Sequence, residues 1–104
     1  SIALDSQSIE AKINLGSLYL DLNKFSLAII NFKSVLELSP FHEHAHQLLA
    51  DAYIKIAKYD LALSSHLKAK EINPTNFFNY YLLILFVTLI KLSFSTKNIS
   101  DGIY

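Results

Sequence analysis

The stretch IEAKINLGSLYLDLNKFSLAIINFKSVLELSPFH, residues 9–42, is followed without a gap by EHAHQLLADAYIKIAKYDLALSSHLKAKEINPTN, residues 43–76. The second copies the plan of the first. Leu15, Gly16, Tyr19, Phe25, Ala28, Phe32, Val35 and Pro40 return 34 residues later as Leu49, Ala50, Tyr53, Tyr59, Ala62, His66, Ala69 and Pro74. A fixed period of this length marks a repeat architecture, in which each unit is one supersecondary element that stacks on its neighbours.

Within the unit the spacing predicts two helices. The first runs from about Ile9 to Leu22, with Ser8 as its N-cap. Leu15, Gly16 and Tyr19 share one face of it. Glycine weakens a helix interior, so Gly16 predicts a close approach by the partner helix, where a side chain would not fit. Asn23-Lys24-Phe25 makes the turn. Ser26 caps the second helix, about Leu27 to Leu38, and Asp60 takes the same slot one repeat later. Ala28, Phe32 and Val35 face the first helix, and Pro40 stops the second.

Outward from these two units the pattern weakens. Residues 1–6, SIALDS, align at the same spacing with VLELSP at 35–40 and AKEINP at 69–74. They read as the end of a preceding repeat's second helix, which makes the chain a piece of a longer array. On the other side, Thr75-Asn76 can cap a further first helix. Tyr80, Leu83, Ile84 and Val87 fall in its packing slots, so residues 77–92 read as the first helix of a third repeat or an apolar cap. No small residue follows where Ala28 and Ala62 predict one. Residues 93–104 read as a loosely ordered tail.

These residues resemble the tetratricopeptide repeat. That family's pattern is a large residue, then Leu-Gly/Ala, Tyr, Ala, an aromatic, Ala and Pro over 34 residues. Lys12 and His46 depart from it in the first large slot, Val35 at a small slot, and His66 at the aromatic slot. The resemblance implies an all-α fold: antiparallel helix pairs wound into a right-handed superhelix, or solenoid. It also implies a concave groove lined by the first helices, which takes a peptide or helix of another protein. Carried over position by position, the groove comprises Glu10, Ile13, Ser17, Asp21, His44, Gln47, Asp51, Lys55, Phe78, Tyr81 and Leu85. Chaperone-binding members clamp a terminal carboxylate with Lys, Arg and Asn. The matching positions here are Ile13, Ser17, Leu48, Phe78 and Leu82, which implies no such clamp.

Composition narrows the function classes. Hydrophobic residues make up 52% of 104, too many for a disordered segment. Nine Lys balance nine acids and there is no Arg, the residue best suited to bidentate phosphate and base contacts. No nucleic-acid partner is expected. There is no Cys, hence no disulfide, thiolate metal site or cysteine nucleophile. Together with the lack of a secretory signal, this predicts an intracellular, cytoplasmic protein with no cofactor.

Two stretches offer other readings. His42-Glu43-His44-Ala45-His46 spells H-E-x-x-H, in which two histidines on a helix face hold zinc and the glutamate activates water. Here His42 falls in the turn after Pro40, His46 falls in a packing slot, and a third ligand would have to be His66 or Glu71. Packing and solvated histidines are the simpler reading. The run from Tyr80 to Ile90 is almost unbroken apolar sequence. It reads as a helix buried against the second repeat, with a membrane segment over 77–94 as the rival. Its outer face shows Phe78, Tyr81, Leu82, Leu85, Phe86 and Leu89, a patch suited to a partner or to self-association. Asn98-Ile99-Ser100 is a glycosylation sequon of a kind that arises often by chance. The leading expectation is a non-catalytic protein-interaction scaffold. The alternatives are the targeting arm of a larger enzyme, such as a repeat-bearing glycosyltransferase, and a membrane-tethered adaptor.

Overall fold

The computed structural model describes residues 2–74 and 78–103, with side chains for 6–74, 78 and 80–95. Among them five helices follow one another and there is no strand: α1 (Ile2–Asp21), α2 (Phe25–Leu38), α3 (Glu43–Lys55), α4 (Tyr59–Ile72) and α5 (Phe78–Ile103). Each helix packs on the next, α1 on α2, α2 on α3, α3 on α4 and α4 on α5. The result is a layer 65 × 30 × 18 Å in extent, about two helices thick.

Small and large side chains interlock between the helices. Ala28, Phe32 and Val35 of α2 are wholly buried, as are Ala45, Ala50 and Ala52 of α3 and Ala62 of α4. One buried cluster runs from Ala28 and Phe32 through Leu49, Ala50, Tyr53 and Ala62 to Leu83 and Val87 on α5. The close approach expected at Gly16 is there. A Cβ at that position would lie 2.5 Å from Cε1 of Phe32 and 2.9 Å from its Cζ.

The two turns inside the repeats have the same construction. Lys24 N–H donates to the Tyr19 carbonyl at 2.8 Å and Asn23 N–H to Leu20 at 3.0 Å; Lys58 donates to Tyr53 at 2.9 Å and Ala57 to Ile54 at 3.0 Å. This is the Schellman pattern, which closes a helix through one left-handed residue. That residue is Asn23 (φ 59°) in the first turn and Ala57 (φ 60°) in the second. Asparagine tolerates the conformation; alanine is strained in it.

Several sequence expectations change. Ser8 does not cap a helix, because α1 runs unbroken from Ile2 to Asp21. Residues 2–6 are therefore continuous with the first helix. Pro40 and Pro74 end α2 and α4, and the slot equivalent to theirs is Ser6, which breaks nothing. Ser26 and Asp60 lie inside the first turns of α2 and α4. The caps are Lys24 and Lys58, neither of which makes a side-chain capping bond. The loose tail expected over 93–104 is instead helical as far as Ile103. Residues 75–77, the place of the Thr75-Asn76 cap, lie outside the described residues, as do the side chains of the 98–100 sequon. Leu15 is 42% exposed, whereas its counterparts Leu49 and Leu83 are 6% and 5% exposed. Leu49 and Leu83 sit on helices that pack against α2 and α4, the second helices of the preceding pairs. Among the described residues no second helix of a preceding pair packs on α1. Among the described residues no helix is long and apolar enough to cross a membrane.

Two substitutions test this account. Gly16→Ala gains about 1 kcal/mol of helix propensity but drives a methyl into the buried Phe32 ring, an overpacking cost of roughly 1–3 kcal/mol. Urea unfolding is expected to show net destabilisation, abolished in the Phe32→Leu background. A stabilised Gly16→Ala single variant would contradict the packing. Ala57→Gly relieves the left-handed strain and is expected to raise stability by about 1 kcal/mol; an unchanged urea midpoint would count against the turn geometry.

Candidate partner-binding groove

Glu10, Ile13, Ser17 and Asp21 lie at i, i+3, i+7 and i+11 on α1, and His44, Gln47, Asp51 and Lys55 repeat that spacing on α3. Such spacing keeps a row of side chains on one helix face. All eight are exposed or half-buried, and so are Phe78, Tyr81 and Leu85 on α5. None is fully buried, although the half-buried Ile13 packs against the core cluster.

Two hollows adjoin these rows; Asp21, Asp51 and Lys55 line them, whereas Phe78, Tyr81 and Leu85 line neither. One, of about 620 Å³, lies between α1 and α3 and is lined by Leu20, Asp21, Asn23, Asp51, Ile54 and Lys55. The other, of about 400 Å³, is formed by Asp51 and Ile54 of α3, His66 of α4, and Leu82, Leu83 and Phe86 of α5. Asp51 and Ile54 line both, so they form the ridge between them. The second hollow exists because α5 leans on α4 alone. Among the described residues, Cα atoms of α1 and α3 approach within 8 Å, but those of α3 and α5 do not.

Neighbouring side chains hold several groove residues. Glu43, at the start of α3, accepts from Gln47 Nε2 at 3.0 Å and from Asn73 Nδ2 at 3.2 Å. It thereby ties the end of α4 to the beginning of α3. Lys70 Nζ donates to the Tyr81 hydroxyl at 3.4 Å and lies 4.9 and 5.1 Å from the ring centroids of Tyr80 and Tyr81, within cation–π range. The edge of Phe86 meets Tyr59 at a centroid distance of 5.3 Å.

Two titratable groups at the second hollow are shifted. Partial desolvation by the apolar walls pushes the Asp51 carboxyl above its usual range although the residue stays open to solvent, and the nearby His66, Lys55 and His44 pull it partly back. Burial lowers the pKa of His66, and the Asp51 charge opposes that shift. His66 is therefore a neutral imidazole at neutral pH.

The model of the family described as Tetratricopeptide repeat matches residues 9–42 and again 43–76. The chain belongs to the tetratricopeptide repeat family. Comparison with curated proteins found no match. Tetratricopeptide repeats are in general protein–protein interaction modules.

The departures from the repeat pattern have local explanations. Lys12, in the first large slot, lays its stem against α2 and donates from Nζ to Ser34 Oγ at 2.7 Å. His46, in the same slot one repeat later, is buried and its Nε2 donates to the Pro40 carbonyl at 2.9 Å. His42 caps α3, with its Nδ1 accepting from Ala45 N–H at 3.0 Å. The H-E-x-x-H letters are thus spent on a helix start. One imidazole lone pair is held by a backbone amide, the other ring is tied to a carbonyl, and the glutamate is bonded to Gln47 and Asn73. Groove position alone did not identify Ile54, His66, Leu82 and Phe86 as parts of one hollow. The available signals were the histidine in an aromatic slot and the apolar outer face of α5.

The His66 shift fixes a pH dependence. Its folded-state pKa lies below the unfolded value of about 6.5, so on acidification the unfolded chain takes the proton first. Stability from this group is present above that value and is lost as pH falls below it. Asp51, raised above 3.8, works in the opposite sense at lower pH. Urea unfolding between pH 7.5 and 5.5 is expected to show stability falling with acid, with a smaller slope in His66→Leu. An equal slope in both proteins would rule out this role for His66.

Proposed function

We propose that this chain is a non-catalytic scaffold segment that binds a peptide or helix of a partner protein along the face formed by α1, α3 and α5. The observation that carries the reading is the pair of adjoining hollows on that face, joined by Asp51 and Ile54. Around them, apolar surface for affinity is supplied by Ile13, Phe78, Tyr81 and Leu85, and charge for selectivity by Asp21, Asp51 and Lys55. The positions that would form a carboxylate clamp carry Ile13, Ser17, Leu48, Phe78 and Leu82, and Asp51 stands beside Leu82 in the second hollow. A terminal carboxylate would meet repulsion there.

The test is capture of partners from cell extract on the immobilised chain. Ile13→Glu, Tyr81→Glu and Leu85→Glu are each expected to reduce capture by about tenfold or more, as loss of an interface anchor does. Glu37→Lys, on the exposed side of α2, should leave it unchanged. Circular dichroism and urea midpoints separate loss of binding from loss of fold, and exposed Leu85 is the position least able to disturb the core. Undiminished capture by folded Leu85→Glu and Tyr81→Glu proteins would refute the groove.

A further inference from the structure

We propose that the hollow between α3, α4 and α5 receives one basic side chain, a lysine or arginine, from a partner segment that is apolar on either side of it. This rests on the groove reading above and specifies its chemistry. The walls are Ile54, Leu82, Leu83 and Phe86, and the one carboxylate is Asp51. Asp51 is exposed enough to be reached. Among the described residues, no Lys or His nitrogen comes within 4.0 Å of that carboxylate; the recorded ion pair is Lys91 with Asp60, elsewhere on the molecule.

An apolar wall with a single carboxylate at its edge matches a long aliphatic stem ending in a cation. The stem covers Leu82, Phe86 and Ile54, and the head reaches Asp51. A purely apolar side chain seated there would strip water from Asp51 and leave the charge unpaired, which is costly. An anion would be repelled. The hollow therefore discriminates by penalty as well as by attraction.

The surroundings agree in sign apart from Lys55, the cation one turn along α3 whose charge acts on Asp51. His66 lines the hollow and is kept neutral by its burial, so it supplies no competing positive charge at neutral pH. Across the Asp51–Ile54 ridge, the neighbouring hollow adds Asp21. With Glu10, the groove rows on α1 and α3 carry three acids against Lys55 alone. The partner segment is accordingly basic and apolar.

The probe is the tripeptide N-acetyl-Leu-Lys-Leu-amide, titrated at low salt into the 104-residue chain while the methyl resonances of Ile54, Leu82 and Leu83 are followed by NMR. Its comparison is the analogue with an ε-hydroxyl in place of the ammonium. The lysine peptide is expected to shift those methyls saturably and to bind about fivefold more tightly than the neutral analogue, the size of a partly screened ion pair. Asp51→Asn, nearly isosteric and at an exposed site, should erase that preference while leaving the fold intact by circular dichroism. Equal affinity for the two peptides, a preference that survives Asp51→Asn, or shifts confined to other methyls would each overturn the proposal. A second arm uses the partner captured on the groove. If Asp51→Asn leaves capture intact while Leu85→Glu abolishes it, this inference falls and the groove reading stands.

Discussion

The distance between the helices of the first pair is set by the contact of Gly16 with Phe32. The phenyl ring is fully buried and occupies the space that a methyl on residue 16 would need. A large ring on α2 thus requires the smallest residue on α1. One repeat later the same two positions hold Ala50 and His66. One side has grown by a methyl and the other has shrunk from a six-membered to a five-membered ring, so the seam stays filled by a different division of volume. The exchange has a chemical consequence. The smaller ring is polar and titratable, and it lies at the edge of the hollow that contains Asp51. A packing compromise in the core therefore puts a neutral imidazole in the lining of the candidate site.

The leucine slot is buried between repeats rather than within them. Leu15, Leu49 and Leu83 occupy one slot in three successive helices, yet only the latter two are buried, because they meet the second helix of the pair before them. This is the behaviour of a quasi-one-dimensional solenoid, where each element's stability depends on its immediate neighbour. The Schellman turns at Asn23 and Ala57 contribute by reversing the chain tightly enough for each second helix to lie on its own first helix. Strain at Ala57 is tolerated because three backbone N–H groups around it are paired, at Ile56, Ala57 and Lys58.

The period of 34 made the two helix pairs legible, and Gly16 correctly announced a close approach, because both depend on local chemistry repeated in register. The helix ends were less legible. Ser26 and Asp60 are good capping residues by type, but the Schellman turns start α2 and α4 earlier, so these side chains fall inside the first turn. Ser6 stands where a proline ends α2 and α4, and a missing breaker is harder to read than one that is present. His42 and His46 suggested metal chemistry by their letters, yet both are committed to the start of α3. The second hollow was signalled only indirectly, by the histidine in an aromatic slot and the apolar outer face of α5. It arises from the gap between α3 and α5, a distance that no single residue encodes.

That gap comes from the nature of α5. At 100° per residue, Tyr80, Leu83, Ile84 and Val87 form one stripe, of which Leu83 and Val87 are buried toward α4. Phe78, Leu82, Leu85, Leu89 and Leu92 form a second stripe on the opposite side, and all five are exposed. A helix apolar on both sides is suited to lie between two layers, and the chain's own helices supply one. The preceding repeats reverse at Asn23 and Ala57; the equivalent Lys91 stays helical. Among the described residues α5 packs on α4 alone. Its separation from α3 then leaves Leu82 and Phe86 facing Asp51 across open space. The departure from the repeat that leaves α5 half-covered thus also creates the most chemically distinctive hollow on the groove.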